Sequence, residues 1–335
     1  MVTRSIHPAS PAAPERYDVA ILGAGPAGMS CADALTSFGL GACVIERSAH
    51  IGGAQRCNFH PNLWLLGAPG ESGEAMTERL CRHYLELAIP TLRGAELSGV
   101  TRSGRGFRLD LATPAGPACL EAEAIVLATG ARPRATAELA RLAQGCRRLI
   151  VGPLAAAIRD EICASSVLIL GGGDNAFDHA LYLAERGNRA TVCARGRFSA
   201  RPGFRTACVE RPEIDLRPHC RAEVRSADEA GVRVVFGDGG EASFDWLLVM
   251  YGYQPNSELV EVFAPDIRPR RLESGHVAVD AWQRTGITGI YAAGDLTDSP
   301  QPSVAVAMAQ GLAAARAIER DRGCDGPRIQ PEKLS

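Results

Sequence analysis

Two stretches constrain this chain more than any other feature. In each, an apolar run breaks into closely spaced glycines and then continues with helical periodicity. YDVAILGAGPAGMSCADAL places Gly23, Gly25 and Gly28 between a strand pattern and a helix pattern, and SVLILGGGDNAFDHALYLAERG places Gly171, Gly173 and Ala176 in the same way. Glycine at these points permits a tight turn and lets backbone amides approach a pyrophosphate, while the helix that follows offers its partly positive N-terminus. One such fingerprint is weak evidence. Two of them, each between a strand and a helix, predict an α/β fold with two dinucleotide-binding domains.

The residues that close the next strand differ in sign. Counting on from the first glycine of each turn, the chain reaches Glu46 in CVIER, and Ala194 followed by Arg195 in TVCARGR. A carboxylate at that place accepts hydrogen bonds from a free ribose diol, whereas arginine suits a ribose 2′-phosphate. Arg197 and Arg201 follow closely, and a guanidinium binds phosphate through two parallel hydrogen bonds. The simplest reading is one FAD site and one NADPH site, with NADH the poorer fit because no acid replaces Ala194. A chain holding both groups moves hydride.

Size and composition are compatible with this. The chain has 335 residues, 46% of them hydrophobic and 22% charged, with a net charge of −2, enough for two domains with cores of their own. That charge gives no general attraction to nucleic acid or to an anionic membrane. The longest apolar runs are strand-sized or broken by glycine, too short to span a bilayer. Residues 1–16 read as a flexible Pro/Ala tail without a signal-peptide core, which points to the cytoplasm. The 11 cysteines are odd in number, scattered and never in C-x-x-C spacing. Cys31, Cys43 and Cys193 lie in apolar surroundings, so a reduced protein without structural disulfides is expected.

The pattern of elements predicts that one domain is inserted into the other. The FAD-binding domain is expected over 17–145 and 270–321, the NAD(P)H-binding domain over 146–269, and a second flexible tail over 322–335. LSGVTRSGRGFRLDLAT and PACLEAEAIVLATG read as a small antiparallel set. VAVD, GIYAAGD and a helix from Ser303 to Glu319 are too few elements for a third core, so they complete the first domain's sheet. In GIYAAGDLTDSPQPSVAVAMAQG the strand and Gly-Asp turn present Asp295 to a ribityl chain. The helix starting near Ser303 aims its N-terminus at the isoalloxazine, where negative charge develops on reduction. Gly311 is read as a helix-packing site.

With these motifs in place the chain resembles the thioredoxin-reductase-like flavoproteins over nearly its whole length. The resemblance is carried by GAGPAG at 23–28, Glu46, IGG at 51–53, ATG at 128–130, GGGDNA at 171–176, Arg195 with Arg197, GYQPN at 252–256 and AAGD at 292–295. It implies two Rossmann-like domains of three-layer ββα type and a homodimer. It carries FAD onto Gly23, Gly25, Pro26, Ala27, Gly28, Glu46, Arg47, Gly53, Thr129, Gly130, Asp295, Ser303 and Val304. It carries NADPH onto Gly171, Gly172, Gly173, Asp174, Asn175, Ala176, Arg195 and Arg197.

The chain departs from that family where the family keeps its redox-active C-x-x-C. A gapless count back from Gly171 puts the pair on Leu154 and Ala157, and Cys163 lies at the wrong end of the segment. No thiol remains there for a helix to activate. Cys57, His60 and Trp64, in RCNFHPNLWLLGAPGESG, are the remaining candidates for an acceptor pocket beside the flavin; Asn62 shares the segment. His50 and His179 read as ordinary loop or helix-face residues. No metal-ligand spacing, Ser/His/Asp arrangement or F-x-G-x-x-x-H segment is present. The expected function is an NADPH-dependent FAD reductase that passes electrons to a small-molecule or electron-carrier acceptor without an internal dithiol. The alternatives are a thioredoxin-reductase-like disulfide reductase or thiol oxidase, a ferredoxin–NADP reductase (although the C-terminus lacks that group's aromatic extension), and an FAD/NADPH-binding redox sensor with negligible turnover.

Overall fold

A computed structural model describes residues 15–61 and 65–323. Seven α-helices are named here: α1 (Pro26–Ser37), α2 (Gly73–Glu86), α3 (Ala137–Gly145), α4 (Ala156–Asp160), α5 (Asp174–Glu185), α6 (Pro202–Val209) and α7 (Val304–Gly323). The chain divides into two compact units. The first comprises residues 1–53, 78–130 and 255–335, and the second comprises 54–77 and 131–254.

The first unit is built on a seven-stranded sheet. Its order is Thr91–Arg93, Ala42–Glu46, Glu15–Leu22, Gly116–Leu127, Gly106–Thr113, Glu96–Ser103, with Ile290–Ala292 also pairing Gly116–Leu127. The strands ending at Leu22, Glu46, Leu127 and Ala292 run parallel and in register, Leu22 opposite both Ile45 and Leu127, and Ala292 opposite Leu127. Their carboxyl ends therefore share one edge, the edge at which open α/β sheets bind ligands. The central strands are buried on both faces, so VAIL and CVI read as continuous apolar runs. One face packs on α1 and α7, with Val19, Ile21, Cys31, Leu35, Ala314 and Ile318 in one core; the other packs Leu109, Leu120, Phe107, Val260 and Phe263. Gly311 lets α7 approach α1, since a Cβ there would lie 2.1 Å from the Ala27 carbonyl oxygen.

The second unit repeats the recipe with five parallel strands in the order Ile214–Arg217, Arg189–Cys193, Ser166–Leu170, Trp246–Val249, Leu149–Val151. A three-stranded antiparallel sheet, Ala222–Asp228, Gly231–Phe236 and Glu241–Phe244, covers one face of it through Val232, Val234 and Phe236. The other face packs on α5, with Phe177, Ala180 and Leu183 fully buried.

Several expectations are corrected. The strand Gly116–Leu127 is one continuous element, antiparallel to Gly106–Thr113 and parallel to Glu15–Leu22, so the antiparallel strands extend the main sheet and form no separate set. VAVD forms no strand: Val277 makes only isolated bridges. Glu15 and Arg16 belong to the first strand, opposite Leu120 and Glu121, and α7 runs on to Gly323 because Arg322 pairs with Asp18 and Glu123. The rest of both expected tails, 1–14 and 324–335, lies outside the described residues. The domain boundaries also move. Residues 131–145 join the second unit because Leu139 of α3 packs with Leu149, Leu168 and Val232. Residues 255–269 join the first because Val260, Phe263 and Ile267 pack with Val100 and Leu109.

Candidate functional site

The first glycine turn sits where the strands Glu15–Leu22 and Ala42–Glu46 end together. The Gly23 amide donates to the Ile45 carbonyl at 2.8 Å. Gly23 has φ +109°, and a Cβ there would lie 2.4 Å from the Ala128 carbonyl oxygen, so neither the backbone nor the space admits a side chain. Gly28 faces the same limit from the helix side, its Cβ position being 1.9 Å from the Gly23 oxygen.

Gly25 differs. Its backbone is ordinary, φ −81° and ψ −177°, and the nearest atom to a Cβ would be Gly53 Cα at 3.9 Å. Nothing in the protein requires glycine here. Gly25 also caps α1 without any side-chain acceptor, with Pro26 in the first turn. In α3, by contrast, the Thr136 hydroxyl accepts the Leu139 amide. A helix start left uncapped beside an unfilled Cβ position fits an anion such as a pyrophosphate.

The remaining first-unit residues converge on this turn. One Glu46 carboxylate oxygen accepts the Ala24 amide at 2.8 Å and the other accepts the Ser48 amide at 2.7 Å, which fixes the carboxylate while leaving lone pairs for a ribose diol. Arg47 follows, exposed. Gly53 (φ +65°) approaches Gly25, its Cβ position 3.0 Å from the Gly25 Cα. Thr129 and Gly130 are fixed by Asn256, whose side-chain amide donates to the Thr129 carbonyl at 2.8 Å and whose backbone amide donates to the Gly130 carbonyl at 2.9 Å. Gly294 (φ +76°) brings the first turns of α1 and α7 together, its Cβ position 3.0 Å from Ala27 Cβ and 3.8 Å from Ala307 Cβ. Asp295 is exposed next to it, and the Ser303 hydroxyl accepts the Val306 amide at 3.3 Å to cap α7 ahead of Val304. Two residues here were not anticipated: Gln310, whose Oε1 accepts the Gly294 amide at 2.8 Å, and Asn256 as the clip on Gly130. Both roles depend on pairings remote in sequence, and only the GYQPN motif hinted at the second.

The second glycine turn has the same construction. The Gly171 amide donates to the Cys193 carbonyl, and a Cβ at Gly171 would lie 2.4 Å from the Met250 oxygen. Gly172 packs against Ala194 and Phe198. Gly173 caps α5 without a side-chain acceptor, and its Cβ position meets nothing nearer than Ser199 Oγ at 3.8 Å. Asp174, Asn175 and Ala176 form the first turn of α5, with Ala176 fully buried. Arg201 engages the Asp174 carboxylate through both its backbone amide and its Nε. Arg195 and Arg197 are exposed, and among the described residues neither pairs with a carboxylate.

The loop candidates fall elsewhere than expected. Cys57 is an exposed free thiol and Trp64 lies outside the described residues, as does Asn62. His60 belongs to the second unit, where its ring packs on Phe59, His179 and Tyr182 of α5 and its Nδ1 lies 3.3 Å from Asp178 Oδ2. It therefore lines no pocket with the glycine turn of the first unit. Burial pulls both His60 and His179 down to about 4 and pushes Asp178 up. Ligand atoms of the three lie within 4.8 Å of one another. The two imidazoles nevertheless stack at 4.5 Å, and both His179 nitrogens face carbonyl oxygens, of Asn175 and Pro153, so the trio packs and does not converge on an ion. The ten described cysteines are free thiols. Leu154 precedes α4, and Ala157 lies in it, packed against the core.

Two uncapped, glycine-opened helix starts on two parallel sheets define a protein that binds two dinucleotides. The chain belongs to the pyridine nucleotide-disulphide oxidoreductase family, whose pattern spans residues 17–311, and is an FAD-dependent oxidoreductase of pyridine nucleotides. It is 27% identical to a ferredoxin–NADP reductase of Ignicoccus hospitalis, over 89% of this chain and 95% of that one, and 27% identical to a thioredoxin reductase of Treponema pallidum, over 90% and 95%. Its fold matches the crystal structure of T. acidophilum thioredoxin reductase with a TM-score of 0.76 at 20% identity, covering 92% of this chain and 99% of that one. Among the described residues no helix is long and apolar enough to cross a membrane.

Proposed function

We propose that this chain is an NADPH-dependent FAD reductase that delivers electrons to an acceptor outside itself, with no dithiol of its own in the path. The observation that carries the reading is the contrast between the two turns. In the first, Glu46 is held at the strand end by the Ala24 and Ser48 amides. In the second, buried Ala194 takes the acid's place and is followed by two arginines with no carboxylate partner among the described residues. An acid suits a free ribose diol and repels a 2′-phosphate; unpaired guanidinium groups do the reverse.

The chain's own residues bind, orient and polarise. The amides of the first turn of α1, left uncapped by Gly25, hold the FAD pyrophosphate, and those of α5 hold that of NADPH. Asp295 orients the ribityl chain, and the Ser303-capped start of α7 places partial positive charge near the ring system. Bound FAD supplies hydride acceptance and electron delivery, which no side chain here supplies. Leu154 and Ala157 stand where the family's dithiol would be, so the disulfide-reductase alternative finds no internal thiol pair to use. The acceptor is a small molecule or an electron carrier, a class supported by relatives named ferredoxin–NADP reductase. We also read the protein as a cytoplasmic homodimer.

Anaerobic rapid mixing with NADPH and with NADH, followed by ferredoxin, quinones, disulfides or air, tests the reading. Fast bleaching of the flavin by NADPH, slower bleaching by NADH and no gain in titratable thiols are expected. Equal rates with the two nucleotides would remove the assignment of Arg195 and Arg197, and two new thiols per chain would restore an internal disulfide. Negligible rates with every acceptor would favour a sensor.

A further inference from the structure

We infer that Tyr251 is a specificity-determining positioning residue: its ring holds the Arg195 guanidinium across the second glycine turn, where a ribose 2′-phosphate is recognised. The inference rests on reading this unit as the NADPH site and deepens it, because it assigns discrimination to a residue outside both the glycine turn and the arginine loop.

The sheet order creates the meeting. Ser166–Leu170, the strand that feeds the glycine turn, is flanked by Arg189–Cys193 on one side and Trp246–Val249 on the other. Arg195 follows the first neighbour and Tyr251 the second. Their side chains meet past the end of the central strand, with Arg195 Cζ 5.5 Å from the centre of the Tyr251 ring, within cation–π range.

Both backbones are fixed to the turn. Gly171 abuts the Met250 carbonyl, and the Met250 amide donates to Leu170 at 2.7 Å, which sets the position of Tyr251. On the other side, the Ala194 amide donates to Arg217, the Cys220 amide to Ala194, the His219 amide to Gly196, and the Ser199 and Ala200 amides both to Gly172. What remains loose is the long Arg195 side chain, whose rotamer freedom binding must remove. The tyrosine face restricts that freedom without neutralising the charge, as a carboxylate would.

The three arginines therefore differ. Arg201 is engaged by Asp174. Arg197 is exposed and has no recorded partner among the described residues. Arg195 alone is held in place with its charge left for an anion.

Binding of 2′,5′-ADP and of 5′-ADP to the FAD-loaded protein, measured by calorimetry, separates the outcomes. Tyr251→Leu is expected to weaken 2′,5′-ADP roughly two- to fivefold, the order of one exposed cation–π contact, and to leave 5′-ADP unchanged. Tyr251→Phe keeps the ring and should bind both ligands like the parent. In an Arg195→Ala background, Tyr251→Leu should have no further effect. Equal weakening of both ligands by Tyr251→Leu, or no weakening of either, overturns the inference while leaving the NADPH reading intact. If Arg195→Ala leaves 2′,5′-ADP affinity untouched, the NADPH reading itself fails. Melting curves with the ligand-free protein establish that each variant is folded.

Discussion

The Glu46 carboxylate reaches back from the end of its strand to accept the backbone amide of Ala24, 2.8 Å away, inside the first glycine turn. One side chain thus braces the turn that holds a pyrophosphate and presents the acid that holds a ribose. Glu46→Gln keeps an acceptor for one amide but loses the charge-assisted bonds. It is expected to weaken FAD binding by about 1–3 kcal/mol, the usual worth of hydrogen bonds to a charged group. The ratio of flavin to protein absorbance after dialysis measures this, and an unchanged ratio would remove Glu46 from the site.

Gly25→Val should give a folded, colourless protein. The backbone at Gly25 suits any residue and a Cβ there meets no protein atom closer than 3.9 Å, so only a bound pyrophosphate would clash with the new side chain. Circular dichroism like that of the parent, together with loss of the flavin spectrum, is the expected pair of results. A yellow, fully loaded variant contradicts it.

Gly311→Val is the converse case, a substitution that the protein itself cannot accept. The new side chain would press into the Ala27 carbonyl, whose oxygen lies 2.1 Å from the Cβ position, and separate α7 from α1. Overpacking of this kind costs about 1–3 kcal/mol or more. Thermal unfolding should show the loss in protein stripped of FAD as well as in loaded protein, which separates it from the effect at Gly25.

Arg195→Ala should raise the KM for NADPH while leaving that for NADH nearly unchanged, narrowing the preference by about 1–3 kcal/mol for one charge-assisted contact. Steady-state rates with both nucleotides read this directly, and an undiminished preference for NADPH would exclude Arg195 from the site.

Acid should loosen the second unit. Burial pulls His60 and His179 from the ordinary 6.5 down to about 4, so between those values the unfolded chain binds protons that the folded one does not. Stability is therefore expected to fall as pH drops through that window. Asp178, pushed upward by the same burial, opposes the trend. His60→Phe keeps a ring among Phe59, His179 and Tyr182 and should flatten the slope; an unaltered pH profile of unfolding would show that His60 does not contribute.

The sequence by itself determined the two parallel units, because strand, glycine turn and helix are local patterns whose spacing is dictated by backbone geometry and by apolar burial. It marked Gly23 and Gly28, where positive φ or a carbonyl at contact distance demands glycine, and it set Glu46 against Ala194 and Arg195 by simple counting. It placed α7 in the first unit, since GIYAAGD and one helix cannot bury a core alone. Only the tertiary structure decided the rest. The long strand Gly116–Leu127 belongs to the parallel and the antiparallel parts of one sheet at once, a dual pairing that period-two alternation does not encode. His60 belongs to α5 because its neighbours there, His179 and Tyr182, are more than a hundred residues away in sequence. Gln310 on Gly294, Asn256 on Gly130 and Tyr251 on Arg195 arise in the same way: sheet order brings distant strand ends and loops together, and no local pattern records which side chains will meet there.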